Sequence, residues 1–521
     1  MDRRNISEYD FFTLKDEQMT QHIPIAMLGF FLLSPNYALA QDLPDSQIIS
    51  AFSTRSSSSG IAPPKETLGT YVLNSGGGLD TGCTYKSGGP LIIKLPVPNV
   101  VNEAVLQSDG TIDPGKLANM QSQSVIGAKA RISMPVFDID SSANVPGINP
   151  EVDVVSFNGK TMGTLQGADG RWTDTNLQVD VGEIKFGQDN EIRVDIDTAN
   201  SGDNWCMSVD WVSIEFDVAL PVVLAHGIAA QADSWDESSA PGVLSTLDDL
   251  GIRYERFSAQ KNGTTATNAG ILNRKIQTFL DELKADKVHI IAHSKGGLDT
   301  QNLKALSPNF EIKSLSTFST PHLGSVAADL SFIKMEHYAD RYTNTTADPN
   351  NFAREYMKLP DIPFVGPKMP GIEDLTTDTA SNAISAGTRG NITQTFSMGA
   401  NADLDQDGVI QKDPDIVGLF PWGSRWAGVA AWEALRNFSS AAYLDTQQFV
   451  SPHYSNGYNV IITTVRYTAN VTTAQENDVV VTLASANPSF ATSLGNVLAN
   501  HSTMKTGPNV LRFVQNIISM R

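Results

Sequence analysis

Three short stretches of the 521-residue chain carry residue types that could do chemistry together. In "VHIIAHSKGGLDT" (Val288–Thr300) an apolar run ends abruptly at Ser294, with Ala292 two residues before it and Gly296 two after. Small residues at those positions let a strand turn sharply into a helix and leave the hydroxyl projecting. A serine presented in this way becomes a nucleophile once a base takes its proton. In "VVLAHGIAAQADSW" another apolar run enters His226-Gly227. The loop that follows can offer the backbone N–H of Ile228, and the residue after the serine, Lys295, a second. Two such groups aimed at one point hold a tetrahedral oxyanion, with no part asked of either side chain. In "ADLDQDGVIQKDPD" the residues Asp403, Asp405 and Asp407 alternate and run into Gly408. Carboxylates at alternate positions followed by a turn-forming glycine suit a hard cation, and the carbonyl of Val409 would add a ligand. The glutamate expected to close such a loop is replaced by Pro414, so Asp413 or Asp415 would substitute. The expectation is a structural Ca2+ site; a solvated acidic turn is the plain alternative.

A serine nucleophile needs a base and an acid. The Ala-His-Ser-Lys-Gly turn, the His226-Gly227 turn and "TPHLG" (Thr320–Gly324) together resemble the α/β-hydrolase superfamily, and within it secreted bacterial lipases and esterases with an AHS-x-GG nucleophile elbow, and that resemblance implies the chain order serine, acid, histidine. The chain has eight histidines. His22 lies in the leader, and His226, His289 and His293 precede the serine. His322 comes before any candidate acid, and His337 falls in an insertion, which leaves His453 and His501. The resemblance covers roughly Pro221 to the C-terminus. It implies a Ser-His-Asp triad. "NHSTM" resembles the lipase histidine loop, which implicates His501. "ENDVVVTLASA" resembles the acid loop, which implicates Asp478, with Val479 where the family has glycine. The competing pair is His453 with an aspartate of the 402–415 stretch.

These residues need elements to position them. "PVVLAHG", "KVHIIAHS" and "SLSTFSTPHLGS" are near-continuous apolar strands alternating with helical stretches such as "NRKIQTFLDELKAD", the pattern of a parallel sheet covered on both faces. "NVIITTVRY" is expected to be a sheet strand leading to Asp478. Between about residues 65 and 218 the pattern changes to short β-like runs separated by Gly, Asn, Asp and Pro, without strong helical periodicity. The expected fold class is therefore an α/β-hydrolase fold (219–521) with a lid-like insertion at about 325–450, preceded by an all-β sandwich (65–218). The insertion carries Trp422, Trp426 and Trp432, in a helix that is either a lid or ordinary core.

Residues 41–64 include the serine-rich linker "STRSSSSG". Before them, "IPIAMLGFFLLSPNYALAQ" is an apolar run too short to span a bilayer, followed by the small-x-small pattern Ala38-Leu39-Ala40. It reads as an export signal cleaved after Ala40, although its leader is long and mixed in charge, and Met19 is a second candidate start. No later segment reads as a membrane span. An exported chain with only two cysteines, Cys83 and Cys206, is expected to join them in a disulfide. The formal net charge of −20 and pI of about 4.7 argue against nucleic acid as a partner, since such a surface repels phosphate backbones. The implied function is a secreted or periplasmic carboxylic ester hydrolase, triacylglycerol lipase-like, acting on an ester or lipid substrate at an interface through an acyl-enzyme and without an organic cofactor. Its rivals are a polyester depolymerase whose β domain holds the solid surface, and a non-catalytic binding protein on a hydrolase shell.

Overall fold

The strands expected to be apolar are buried nearly end to end. β1 (Val222–Ala225), β3 (Lys287–His293) and β4 (Glu311–Phe318) form the middle of a six-stranded sheet with β2 (Tyr254–Phe257), β5 (Thr395–Asn401) and β6 (Thr492–Leu498). The order is β2-β1-β3-β4-β5-β6, and every pairing is parallel. All seven residues of β5 are buried. Strands buried on alternate residues of both faces must be covered from both sides, and helices do this. α1 (Val243–Leu250) packs with α4 (Gly507–Ile517), and α2 (Thr265–Leu283) packs with α3 (Lys295–Ala305). α2 begins where the Thr264 hydroxyl accepts from the Thr267 amide at 3.1 Å, and it buries Leu272, Ile276, Phe279, Leu280 and Leu283. This order of parallel strands, with helices between them, is the α/β-hydrolase fold. In the computed structural model the described residues are 59–74, 84–139, 150–168, 170–199, 206–329, 370–387, 389–390, 392–408, 410, 432, 435–437, the strands 440–450 and 459–468, and 474–521, all within the compact unit Ser56–Arg521.

The stretch "NVIITTVRYT" departs from expectation. It does form a strand, Asn459–Thr468, but it pairs antiparallel with Ser440–Val450 in a separate two-stranded sheet. The parallel strand whose end lies beside the acid loop is β5, where the Ala402 amide donates to the Asn477 carbonyl at 3.0 Å, and its sequence "TFSMGAN" has little β-branched character. Total burial compensates for weak propensity here.

Residues before Pro221 form two antiparallel sheets. One contains Thr70–Asn74, Ile126–Phe137, Trp172–Asp180, Cys206–Val209 and Trp211–Val218 with the short strand Thr84–Tyr85. The other contains Leu91–Val97, Val154–Phe157, Lys160–Thr164 and Gln188–Asp195. Leu91–Val97 alternates buried and exposed, as a strand with one wet face should. The stretch also holds a helix, Pro114–Ser122, where helical periodicity is weak. Its start is written by a cap: Asp113 accepts from the amides of Gly115 and Lys116, and Pro114 opens the first turn. Cys206 is disulfide-bonded. Its strand pairs with Thr84–Tyr85, immediately after Cys83, which itself lies outside the described residues.

The antiparallel sheets and the parallel sheet share one hydrophobic core. Polar bonds cross the same boundary: Asn102 Nδ2 donates to Asp248 Oδ1 at 2.9 Å, the Asn102 amide to the Gly251 carbonyl at 3.1 Å, and the Tyr71 hydroxyl to the Leu283 carbonyl at 3.3 Å. Among the described residues no helix is long and apolar enough to cross a membrane. The proposed leader, residues 1–40, and most of the 41–64 linker lie outside the described residues.

Candidate active site

The carboxyl ends of the parallel strands converge on one edge, where β3 ends at His293 and the chain turns through Ser294 into α3. Ser294 has φ 56° and ψ −131°, a backbone conformation seldom held by a residue with a Cβ. The turn is closed by close packing. A Cβ on Gly296 would lie 2.6 Å from the His226 carbonyl oxygen and 2.7 Å from that of Ala225, so only glycine lets the start of α3 lie against the end of β1. The Ser294 amide donates to the Phe318 carbonyl at 2.9 Å, and the Thr320 hydroxyl donates to the Ser294 carbonyl at 2.8 Å. The "TPHLG" loop thus braces the turn from the β4 side.

His501 and Asp478 meet this serine. His501 Nε2 lies 2.9 Å from Ser294 Oγ, and His501 Nδ1 lies 2.7 Å from Asp478 Oδ2. All three residues are buried. The other carboxylate oxygen, Asp478 Oδ1, accepts from the amides of Val480 and Val481 at 2.9 and 2.7 Å. The loop's own backbone therefore orients the carboxylate and leaves Oδ2 for the imidazole. An ionised carboxylate only accepts, so Nδ1 carries the proton and Nε2 is left to accept from the serine hydroxyl. The loop takes this shape through Val479, which has φ 79°, the left-handed region that is costly for a β-branched residue. The place where family acid loops carry glycine is thus one where the backbone asks for it. His453 lies outside the described residues.

The amides of Ile228 and Lys295 flank Ser294, and neither donates to an acceptor among the described residues. The peptide between Gly227 and Ile228 is tied down by His226. The Ala259 amide donates to His226 Nε2 at 2.9 Å, so Nδ1 carries the proton and donates to the Gly227 carbonyl at 2.8 Å. A trans peptide points its N–H opposite to its C=O, so holding that carbonyl aims the Ile228 amide. Burial keeps His226 below the usual imidazole range, which favours the neutral form this arrangement needs.

The side chains of several residues around the site were assigned no role from the sequence. The Lys295 side chain is fully buried and its ammonium sits 2.5 Å from Asp299 Oδ1, whose other oxygen accepts from Asn268 at 3.0 Å. Burial raises Asp299 to about 6 despite that ammonium. Lys505, four residues after His501, donates to the Ser234 carbonyl at 2.6 Å and lies 5.2 Å from the centre of the Trp235 ring. Burial lowers its ammonium to about 8. His293 donates from Nε2 to the His501 carbonyl at 2.7 Å. The available signal was the imidazole ending an apolar strand, since a buried polar group requires a partner.

The carboxylates of Asp403, Asp405 and Asp407 lie within 4.8 Å of one another. Asp403 Oδ2 accepts from the Gly408 amide at 2.9 Å, while its Oδ1 is buried with no hydrogen-bond partner. Gly408, at φ 80°, makes the turn its motif requires. Val409, Asp413 and Asp415 lie outside the described residues, as do Trp422 and Trp426. Trp432 is buried, and its carbonyl accepts from Asn477 Nδ2 at 3.3 Å, so it supports the acid loop from beneath.

An all-parallel sheet with a serine at a strained strand-to-helix turn, met by a histidine and an aspartate from later loops, defines the class as α/β hydrolase in fold. No protein-family model matches the chain. Among solved structures it is similar to a lipase of Bacillus licheniformis in its mature form, at 17% identity and a TM-score of 0.37, the match covering 58% of this chain and 93% of that one. The same lipase in its propeptide form aligns at 16% identity and a TM-score of 0.38 over 58% and 51% of the two chains. A metagenomic carboxyl esterase aligns at 14% identity and a TM-score of 0.34 over 57% and 76%.

Proposed function

We propose that the protein is a serine-dependent carboxylic ester hydrolase. The observation that carries this reading is the unbroken chain of hydrogen bonds from Ser294 Oγ through His501 to Asp478 Oδ2. In the proposed reaction His501 takes the serine proton as Oγ attacks the ester carbonyl. The carbonyl oxygen becomes an oxyanion held by the amides of Ile228 and Lys295, and Asp478 stabilises the imidazolium. His501 returns the proton to the departing alcohol, leaving an acyl-serine. Water, deprotonated by His501, then releases the acid. A lipase-like preference for apolar acyl groups is the finer form of this proposal; beside the proposed oxyanion amide, the Ile228 side chain packs on the buried cluster of Leu298, Ala328, Ile372 and Leu375. Export is supported by the disulfide at Cys206, since such bonds persist in oxidising compartments. Ser294→Ala is expected to lower ester turnover by about a million-fold while leaving the melting temperature near wild type. Fluorophosphonate labelling should vanish with it. A variant that kept even a tenth of the activity would exclude Ser294 as nucleophile.

The aspartate loop is read as a structural calcium site. The orphaned, buried Asp403 Oδ1 supports this, because a buried carboxylate oxygen calls for a cation or a donor. Asp403, Asp405 and Asp407 would hold the ion, whose two positive charges would offset the mutual repulsion of the carboxylates. Calcium should raise the melting temperature of the chelator-treated protein, and Asp405→Asn should remove that increment. Equal melting temperatures with chelator and with calcium would refute the site.

A further inference from the structure

We infer that His293 is a positioning residue: its Nε2–H holds the backbone carbonyl of His501 and so keeps the base in line with both Ser294 and Asp478. The inference rests on the proposed hydrolase reading and assigns a new role within that site.

The geometry has three parts. The first is the bond itself, 2.7 Å between groups 208 positions apart. A carbonyl can only accept, so the proton must sit on Nε2 of His293. The second is what the bond joins. His293 is the last residue of β3, a strand paired with β1 on one side and β4 on the other, and it is directly bonded to Ser294. His501 is on the loop that links β6 to α4, and its side chain must satisfy two distances at once, 2.9 Å to Oγ and 2.7 Å to Asp478. The tether therefore runs from the most constrained part of the sheet to the loop whose position matters most. A second restraint on the same residue comes from the acid loop, where the His501 amide donates to the Asp478 carbonyl at 3.2 Å. The backbone of His501 is held at its N–H by the acid's residue and at its C=O by the nucleophile's neighbour.

The third part is charge. The His293 and His501 rings lie 4.8 Å apart, centre to centre. When His501 becomes an imidazolium, a second cation at that distance would oppose it. Burial, then the nearby Lys505 ammonium and His501 itself, hold His293 well below the usual imidazole range, so it stays neutral through the cycle. It can donate one hydrogen bond without competing for the proton that the serine gives up.

The test compares three variants of the full chain on a soluble p-nitrophenyl ester. His293→Phe keeps a ring but has no donor. His293→Gln places an amide N–H near the original Nε2, and His293→Asn is too short to reach. The expected result is a fall in kcat of about 10- to 100-fold for Phe and Asn with KM within about twofold, and recovery of most of kcat in Gln, on the scale that loss of orientation costs. The downfield proton resonance of the His501–Asp478 bond should broaden in Phe and Asn and return in Gln. If Phe does not fold, the contrast between Gln and Asn reads the same question. Variants that lose thermal stability in parallel but keep wild-type kcat would overturn the inference and leave His293 as core. So would a Gln variant no better than Asn. A wild-type protein that neither hydrolyses esters nor labels at Ser294 would instead remove the hydrolase reading, which separates the two failures.

Discussion

At the scale of single residues the proposed reaction divides the site into groups that would react and groups that hold them. Asp478→Asn keeps the shape of the acid but turns a pure acceptor into a group that also donates, and the imidazole loses its reason to carry the proton on Nδ1. Turnover is expected to fall by about four orders of magnitude, and saturating calcium should not restore it, as single-point kinetics with and without the ion would show. Lys505 makes a different prediction, for stability. Its ammonium is lowered from the usual 10.5 to about 8 because burial penalises the charged form. Between pH 8 and 10.5 the unfolded chain therefore binds more protons than the folded one, so unfolding free energy rises with pH across that window. The penalty is present in full below pH 8. A shift of this size corresponds to about 3 kcal/mol of stability. Lys505→Met should flatten the rise of melting temperature between pH 8 and 10; an unchanged slope would assign that rise to other groups. Ser294, Asp478 and His501 were legible in the sequence because each stands in a short motif whose chemistry constrains its neighbours. His293 and Lys505 were not. Their partners are backbone carbonyls, and a carbonyl leaves no mark on sequence.

At the scale of elements, the site depends on how closely the start of α3 approaches the end of β1. Gly296→Ala would drive a methyl against two backbone oxygens that no rotamer can move. We expect it to cost about 1–3 kcal/mol from overpacking and to lower kcat more than it raises KM, because the Lys295 amide moves with the helix. A melt and a Michaelis curve on the purified variant check both, and a variant with wild-type kcat would show that the turn tolerates the shift. β1, β3 and β4 were readable because their apolar runs are continuous. β5 and β6 were not, since "TFSMGAN" and "TSLGNVL" mix small and polar residues whose strand state comes from pairing. The strand Asn459–Thr468 shows the reverse case. Its β-branched residues predict a strand correctly but say nothing about which sheet receives it, because pairing partners are set by tertiary contacts.

At the scale of the whole molecule, the change of composition at Pro221 marks a change from antiparallel to parallel strands, but the hydrophobic core runs across it. Residues 219–521 expressed alone would expose the part of that core which is shared with residues such as Val101, Met120 and Tyr71. We expect that fragment to bind hydrophobic dyes and to lack a cooperative melt, while the full chain melts in one transition over this region. Two separated transitions in calorimetry would contradict this. The sequence could locate the boundary but not the contact across it, because alternation reveals that a face is buried without revealing against what. The long reach of the active-site bonds has a consequence for how the molecule comes into being. Ser294 meets His501 across 207 positions, and the tether beside it spans 208. Closures of that length are formed late, after local helices and neighbouring strands have paid down the entropy of bringing distant chain segments together. During refolding, circular dichroism should therefore recover before reactivity toward a fluorophosphonate. Until its most distant loop closes, the chain carries every residue of the proposed triad without the geometry that joins them, so a partly folded chain should leave the esters around it untouched.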